Sequence, residues 1–469
     1  MEARSLQFVA SACAGELRAG RGDALVRRVC SDSRQVQPGD LFFALKGERF
    51  DGHDFVKEAA QKGAGAVMVH RTQARARLQK CAIIAVDNTR AALGRLAAKY
   101  RMDFDLPIVA VGGSNGKTTT KDLIATVLRQ KLATLSSEAS FNNNIGVPLT
   151  LLKLERTHQA AVVEAGTNHP GELAPLVEMI QPKLGVITNI EREHLEFFGD
   201  IAGVAEEEGR LAELLPDDGT LLINGDSEWA DALARRTRAR VVRTGMSDQN
   251  EWRAFDMRVD NRGVTFCVDG PQQDFWGEYR VNLLGRHQAV NALFAIAVGE
   301  ELGLGRAEIQ RGLAECQAAK MRLQLWEANG VWVLDDAYNA NADSVAVALG
   351  ALMELPCTGR RMAVLGDMAE LGEHSAAAHE EVGRLTAELG VGQLFAVGKM
   401  ADVIGRAARA AGLARVIEFN DVETAAQAVK RFLKPGDLVL LKASRAAGLE
   451  RLAAALQAPE SKRAECCFT

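Results

Sequence analysis

Residues 108–120 read Ile-Val-Ala-Val-Gly-Gly-Ser-Asn-Gly-Lys-Thr-Thr-Thr: an apolar strand, a glycine-rich turn, then a lysine and hydroxyl residues that open a helix. This run constrains the fold more than any other. A strand apolar at successive positions belongs inside a sheet covered on both faces. Glycines let the backbone come close to a ligand, and the N–H groups of a helix N-terminus attract anions. The pattern predicts phosphate held over Gly113, Ser114, Asn115, Gly116, Lys117, Thr118 and Thr119. Lys117 would supply a point charge, and Thr118 or Thr119 a hydroxyl for Mg²⁺. A full Walker A loop would have glycine at position 111. The chain has Val111 there, so the loop is the shorter Gly113-x-x-Gly116-Lys117-Thr118. The competing reading is an ordinary strand-to-helix turn that carries a lysine.

At 469 residues the chain is too long for a single core, and two to four domains are expected. A net charge of −5 gives no general attraction to nucleic acid or membrane, so an anionic ligand must be held by local basic groups. No apolar run approaches the roughly 18 residues that span a bilayer. The stretch around 8–14 is short and flanked by Glu2, Arg4 and Glu16, unlike a signal peptide. Eight scattered cysteines without C-x-x-C spacing fit a reducing cytoplasm and argue against structural zinc. The terminal Cys466-Cys467-Phe468-Thr469 has the outline of a C-a-a-X box but no polybasic run beside it, and is read as a frayed tail.

The first 86 residues mix short strands (41–45, 66–69, 82–86) with glycine-rich turns, and 88–100 reads as an amphipathic helix. From Pro107 strands and helices alternate, with strands at 108–111, 160–164, 184–188 and 221–223. That rhythm implies a mostly parallel sheet with helices on both faces. Residues 251–284 look richer in strand, and 289–302 is a helix. A third βα series begins near Trp332, with strands at 331–334, 362–365, 394–397 and 438–441. Two such units in succession suggest a ligand held between them.

Glu164 ends an apolar strand, where a doubly wound sheet lines its ligand crevice, and a hard cation bridging phosphates wants such an oxygen. His194 follows the next strand, in Thr188-Asn189-Ile190-Glu191-Arg192-Glu193-His194-Leu195-Glu196, and precedes the acidic Glu206-Glu207-Glu208. Metal or substrate binding and an ordinary surface histidine with a solvated helix turn both remain open there. Asn291, in Gly285-Arg286-His287-Gln288-Ala289-Val290-Asn291, could read a base edge or serve as a simple cap. Asp335-Asp336-Ala337-Tyr338-Asn339-Ala340-Asn341, Gly366-Asp367-Met368-Ala369-Glu370-Leu371-Gly372 and Lys442-Ala443-Ser444-Arg445 each place polar groups after a strand.

The order of these motifs resembles the Mur ligase family, the ATP-dependent amide-bond ligases of bacterial cell-wall synthesis, from Ser31 to Arg445. Within the family the chain is most similar to the branch that adds D-alanyl-D-alanine. Residues 32–34 and 39–53, Asp336–Asn341 and Gly366–Gly372 carry that choice. An Asp-Asn-Pro-Arg motif typical of the ligase that adds the third amino acid is not found. The resemblance implies an α/β fold in three units: a UDP-substrate-binding domain (1–86), a central P-loop ATPase-type domain (87–317) and a Rossmann-like domain on the dipeptide side (318–469). It implies ATP and Mg²⁺ as cofactors, UDP-N-acetylmuramoyl-tripeptide and D-alanyl-D-alanine as substrates, and a cytoplasmic monomer.

The resemblance also implies roles, residue by residue. Ser33, Arg34, Lys46 and Gly47 would hold the UDP end, while Lys117 and Thr118 would hold ATP phosphates and Mg²⁺. Glu164 would ligate Mg²⁺ and His194 a second ion. Asn142 and Asn143 would sit beside the phosphates, with Asn291 on adenine, Arg322 on the γ-phosphate and Asp336 on the ribose. Asn339, Ser444 and Arg445 would lie near the dipeptide. Two departures stand out. Gln288 replaces the first asparagine of the usual Gly-x-His-Asn-x-x-Asn. Glu208 stands where the family commonly has a carbamylated lysine, fourteen residues after the histidine, and is expected to supply the carbamate's charge on the Mg²⁺ side without CO₂. The implied chemistry is phosphorylation of a substrate carboxylate followed by attack of an amine; no general base is assigned. The rivals are a folylpolyglutamate synthase or third-residue ligase, a P-loop switch, and a non-catalytic relative. The switch would need guanine-selecting or oligomer-facing motifs that the chain lacks, and the non-catalytic relative sits poorly with Lys117, Glu164 and His194.

Overall fold

A computed structural model describes residues 1–74, 78 and 80–458. The C-a-a-X-like terminus at 466–469 lies outside the described residues. Three main sheets organise the chain. The central one has nine strands in the order Gly277–Val281, Gly263–Asp269, Trp252–Asp260, Arg240–Gly245, Thr220–Asn224, Leu184–Ile187, Ile108–Gly112, Ala160–Glu164, Thr134–Ser136. It is parallel from Thr134–Ser136 to Trp252–Asp260, and the last two strands return antiparallel as a meander.

Alternation along the strands explains why both faces are covered. Val109 and Val111 point into a core with Leu123, Ile124 and Val127 of helix Lys117–Leu128 and Phe294 of helix His287–Glu301. Ile108 and Ala110 point the other way, into a core that holds Leu173, Leu176 and Leu211. That second core runs on without a break into the N-terminal unit, through Leu93 and Leu96 of helix Thr89–Arg101 to Ile84, Met68 and Phe43. The N-terminal sheet (Glu16–Ala19, Ala82–Val86, Ala66–His70, Leu41–Phe43, Val29–Cys30) is therefore fastened to the central one by a shared helix, whose N-terminus Asn88 caps.

After Ile108–Gly112 the chain goes to one edge and returns beside it at Ala160–Glu164. It then crosses to the opposite side at Leu184–Ile187. The order reverses at Ile108–Gly112, which opens a crevice at the carboxyl ends of these strands. The C-terminal sheet runs Gln324–Ala328, Val331–Asp335, Leu438–Lys442, Arg361–Gly366, Gln393–Val397, Val416–Phe419, all parallel but the first. Its two edge strands, Gln324–Ala328 and Val416–Phe419, escape a reading based on apolar runs because they are only partly buried and carry polar residues. Among the described residues no helix is long and apolar enough to cross a membrane.

Candidate active site

Gly113 and Gly116 both have positive φ, +106° and +81°. At Gly113 a Cβ would lie 2.4 Å from the Thr188 hydroxyl and 2.8 Å from the Thr188 nitrogen, so only glycine fits against the neighbouring strand end. Hydrogen bonds then divide the loop in two. The N–H of Gly113 donates to Glu208 Oε2 (2.6 Å), that of Ser114 to the Asn189 carbonyl (2.9 Å) and that of Asn115 to Asn189 Oδ1 (2.8 Å). Among the described residues the N–H groups of 116–119 find no such acceptor, and no side chain caps the helix that starts at Lys117. The N–H groups left open for an anion are thus those of the helix N-terminus at 116–119, while 113–115 brace the loop.

Lys117 Nζ donates to the carbonyls of Gly113 and of Ser114 (2.9 Å) and lies 3.3 Å from Glu193 Oε2. Burial works against its charge, but Glu193, Glu208 and Glu164 together hold its pKa above the ordinary lysine value. All three carboxylates are buried, and each keeps one oxygen without a hydrogen-bond donor: Glu164 Oε2, Glu193 Oε1 and Glu208 Oε1. Burial raises the Glu193 carboxyl and pushes Glu208 up to about 7, against the pull of Lys117. Three buried acids around one ammonium is an arrangement that lacks positive charge, and acceptor-only oxygens are what a hard cation takes. No group of three His, Cys, Asp or Glu among the described residues is arranged to hold a metal by itself. An ion here would need hydroxyl, phosphate or water oxygens as well, as Mg²⁺ commonly does.

The C-terminal unit completes this face. Arg322 Nη2 lies 3.3 Å from both Thr118 Oγ1 and Ser140 Oγ, and its guanidinium stacks on the Tyr338 ring at 4.1 Å. His194 Nδ1 pairs with Glu370 in a short contact, and the Glu196 N–H donates to the Glu370 carbonyl (3.1 Å). Arg192 bridges Asp343 and Glu381, and Asn115 and Asn341 exchange amide contacts at 3.3–3.4 Å. His194 and Glu370 are both left-handed non-glycines, φ +48° and +59°, each a conformation that costs about 1–3 kcal/mol and persists only where its surroundings enforce it.

Of the residues singled out from the sequence, Lys117, Thr118, Glu164, His194, Arg322, Asn142 and Asn291 come together here. Asn142 Nδ2 donates to Glu164 Oε1 (2.9 Å), and a Cβ on Gly116 would meet Asn291 Oδ1 at 3.1 Å. Glu208 sits beneath the loop, with one oxygen engaged by Gly113. Asn143 has a local duty, its Oδ1 accepting from the N–H groups of Ile145 and Gly146. Asp336 Oδ1 accepts from the Leu323 N–H (3.0 Å) and Oδ2 from buried Lys442, which also donates to the Asn339 carbonyl (3.1 Å). Asp336 therefore anchors the segment that carries Arg322. Ser444 is buried with an unpartnered hydroxyl, while Asn339 is exposed and Arg445 lies 3.8 Å from the Met321 sulfur. Ser33, Arg34, Lys46 and Gly47 belong to the N-terminal unit; Arg34 is paired with Asp32, and Lys46 and Gly47 lie on an exposed loop. Sequence reasoning passed over Glu193 and Glu370. Both lie inside motifs quoted for other residues, and only folding turns them toward Lys117 and His194.

Three family models match the chain: "Mur ligase family, catalytic domain" over residues 26–101, "Mur ligase middle domain" over 111–299, and "Mur ligase, glutamate ligase domain" over 321–445. The UDP-N-acetylmuramoyl-tripeptide–D-alanyl-D-alanine ligase of Escherichia coli is 36% identical, over 94% of this chain and 96% of its own length. A crystal structure of MurF from Acinetobacter baumannii superposes with a TM-score of 0.89 at 30% identity, covering 97% of this chain and 99% of that one. MurF from Thermotoga maritima, solved in complex with ADP, gives 0.79 at 27% identity, covering 92% and 97%.

Proposed function

The chain belongs to the Mur ligase family, and from that premise we propose that it is the ATP-dependent ligase joining D-alanyl-D-alanine to UDP-N-acetylmuramoyl-tripeptide. The observation that carries the reading is the meeting of two half-sites. A helix N-terminus with open N–H groups and Lys117 lies on one unit, and Arg322 reaches its Thr118 hydroxyl from the other.

A free carboxylate is a poor acyl donor, so the terminal carboxylate of the tripeptide first takes the γ-phosphoryl group of ATP, giving an acyl phosphate and ADP. The amine of the dipeptide then attacks the acyl carbon, a C–N bond forms, and phosphate leaves with the C–O bond. The protein's share is positioning and charge. The N–H groups of 116–119 and Lys117 hold phosphate oxygens, and Arg322 offsets charge on the group in flight. Thr118 and Glu164 would hold one Mg²⁺ and His194 a second, with Glu208 on the metal side, and these ions would supply further charge neutralisation. Because Arg322 belongs to the C-terminal unit, the site is complete only when the two units are docked. Docking also keeps water from the acyl phosphate.

Asn291 faces the adenine and Asp336 the ribose in this reading, with Asn142 beside the phosphates. Ser33, Arg34, Lys46 and Gly47 take the UDP end, and Asn339, Ser444 and Arg445 the dipeptide. We propose the chain works in the cytoplasm as a monomer, since each group named belongs to one chain. The test is phosphate release by purified protein with ATP, Mg²⁺ and UDP-N-acetylmuramoyl-tripeptide, comparing D-alanyl-D-alanine with meso-diaminopimelate, lysine and glutamate. Stimulation by the dipeptide alone is expected; stimulation by one of the amino acids instead would overturn the assignment.

A further inference from the structure

We infer that Glu370, on the C-terminal unit, is a positioning residue that sets the ring orientation and tautomer of His194 on the central unit, and so makes that imidazole a competent ligand only when the units are docked. The inference rests on the functional reading above and deepens it.

A carboxylate can only accept a hydrogen bond, so the ring nitrogen facing Glu370 Oε2 is the one that carries the proton, Nδ1. A neutral imidazole held in this way presents its lone pair at Nε2. That nitrogen makes no protein hydrogen bond among the described residues. It points toward the buried acids, 3.8 Å from Glu193 Oε2, which is too far for a hydrogen bond and leaves room for a shared cation. Ring-to-carboxylate pairs of this kind orient histidine ligands.

The surroundings fix Glu370 as a positioned group rather than a surface acid that happens to be near. Its own carbonyl accepts from the Glu196 N–H, two residues beyond His194. A Cβ on Gly372 would lie 3.1 Å from the Glu196 Cα, so the two loops are in close backbone contact. His374 Nε2 reaches the Gly199 carbonyl at 2.9 Å. The whole run 370–374 thus lies along 194–199. Undocking would remove the acceptor from Nδ1 and free the ring to rotate.

The test compares Glu370→Ala and Glu370→Gln with the unsubstituted protein. The glutamine carbonyl still accepts from Nδ1–H, so that variant should rescue. With ADP bound and no metal, ring ¹⁵N shifts of His194 (assigned by loss in His194→Gln) should report Nδ1–H in the unsubstituted protein and in Glu370→Gln. In Glu370→Ala they should report a mixture of tautomers. Calorimetric titration of ADP at increasing Mg²⁺ should place half-saturation about 10–100-fold higher in Glu370→Ala, and close to the original in Glu370→Gln. Unchanged tautomer and Mg²⁺ dependence in Glu370→Ala would overturn the inference. Equal loss in both variants would do the same, since it would mark a merely structural contact. Neither readout uses the dipeptide or the tripeptide, so a wrong substrate assignment would show in phosphate release and leave this test intact.

Discussion

The two faces that meet in the crevice treat their acidic side chains in opposite ways. On the central face Glu164, Glu193 and Glu208 are buried, and each leaves an oxygen without a donor around Lys117. On the C-terminal face the acids are engaged: Asp336 by Lys442 and the Leu323 N–H, Glu370 by His194, Asp343 and Glu381 by Arg192. An unsatisfied buried carboxylate is costly and persists where a ligand will satisfy it, whereas a fully paired one holds a frame in place. In the functional reading above, the first face carries the chemistry, and the second aims Arg322 and, through Glu370, His194 at it.

The sharpest way to break this contrast is at its centre. Lys117→Met should lower dipeptide-dependent turnover by about 10³-fold or more while ADP-free folding, followed by circular dichroism, is retained. A loss below tenfold would mean that Lys117 is not aimed at the reacting phosphate. Glu164→Gln should cost roughly 10²-fold and shift the Mg²⁺ requirement, with little change in melting temperature, because its free oxygen serves a ligand rather than the fold. Asp336→Ala should act first on the fold, beyond any weakening of its hold on the ribose. It strands the buried Lys442 ammonium, so unfolding in urea should reveal a loss of about 3 kcal/mol, against a small loss for Glu164→Gln. If both variants lost stability equally, the division into a chemical face and a framing face would fail.

A smaller effect concerns pH. Burial lowers the His287 ring to about 4, against a neighbouring Asp336 that pulls the other way. A histidine with a depressed folded pKa binds fewer protons folded than unfolded between about pH 4 and 6.5. Its contribution is therefore present above 6.5 and is lost as pH falls through that window, by roughly 3 kcal/mol at most. His287→Gln should flatten the stability profile there; an unchanged slope would place its cause elsewhere. The smallest effect is expected for Arg192→Ala. It removes partly exposed ion pairs and should cost less than about 1 kcal/mol of stability, yet raise KM for ATP by loosening docking.

Much of the fold could be read from the chain alone. Apolar runs marked the strands at 82–86, 108–111, 160–164 and 438–441, because residues buried on both faces leave a continuous signal. The edge strands Gln324–Ala328 and Val416–Phe419 gave no such run, being half exposed. The same divide holds in the site. Gly113, Gly116 and Lys117 announce themselves by local geometry, since a strand-loop-helix turn requires those residue types at that spacing.

Sequence by itself therefore determined the α/β alternation, the glycine-rich turn into the helix that starts at Lys117, and the residues at the strand ends. Tertiary structure alone decided which of those residues meet one another and which keep a buried oxygen without a donor. Glu208 gained its place by meeting the Gly113 N–H, 95 positions away, and Glu193 by lying against Lys117, 76 positions away, as Glu370 did by meeting His194. A carboxylate's role depends on whether a donor reaches both its oxygens, and that is settled by residues far along the chain. Tertiary contacts also divide the loop: the N–H groups of 113–115 are engaged by Glu208 and Asn189, and those of 116–119 stay open.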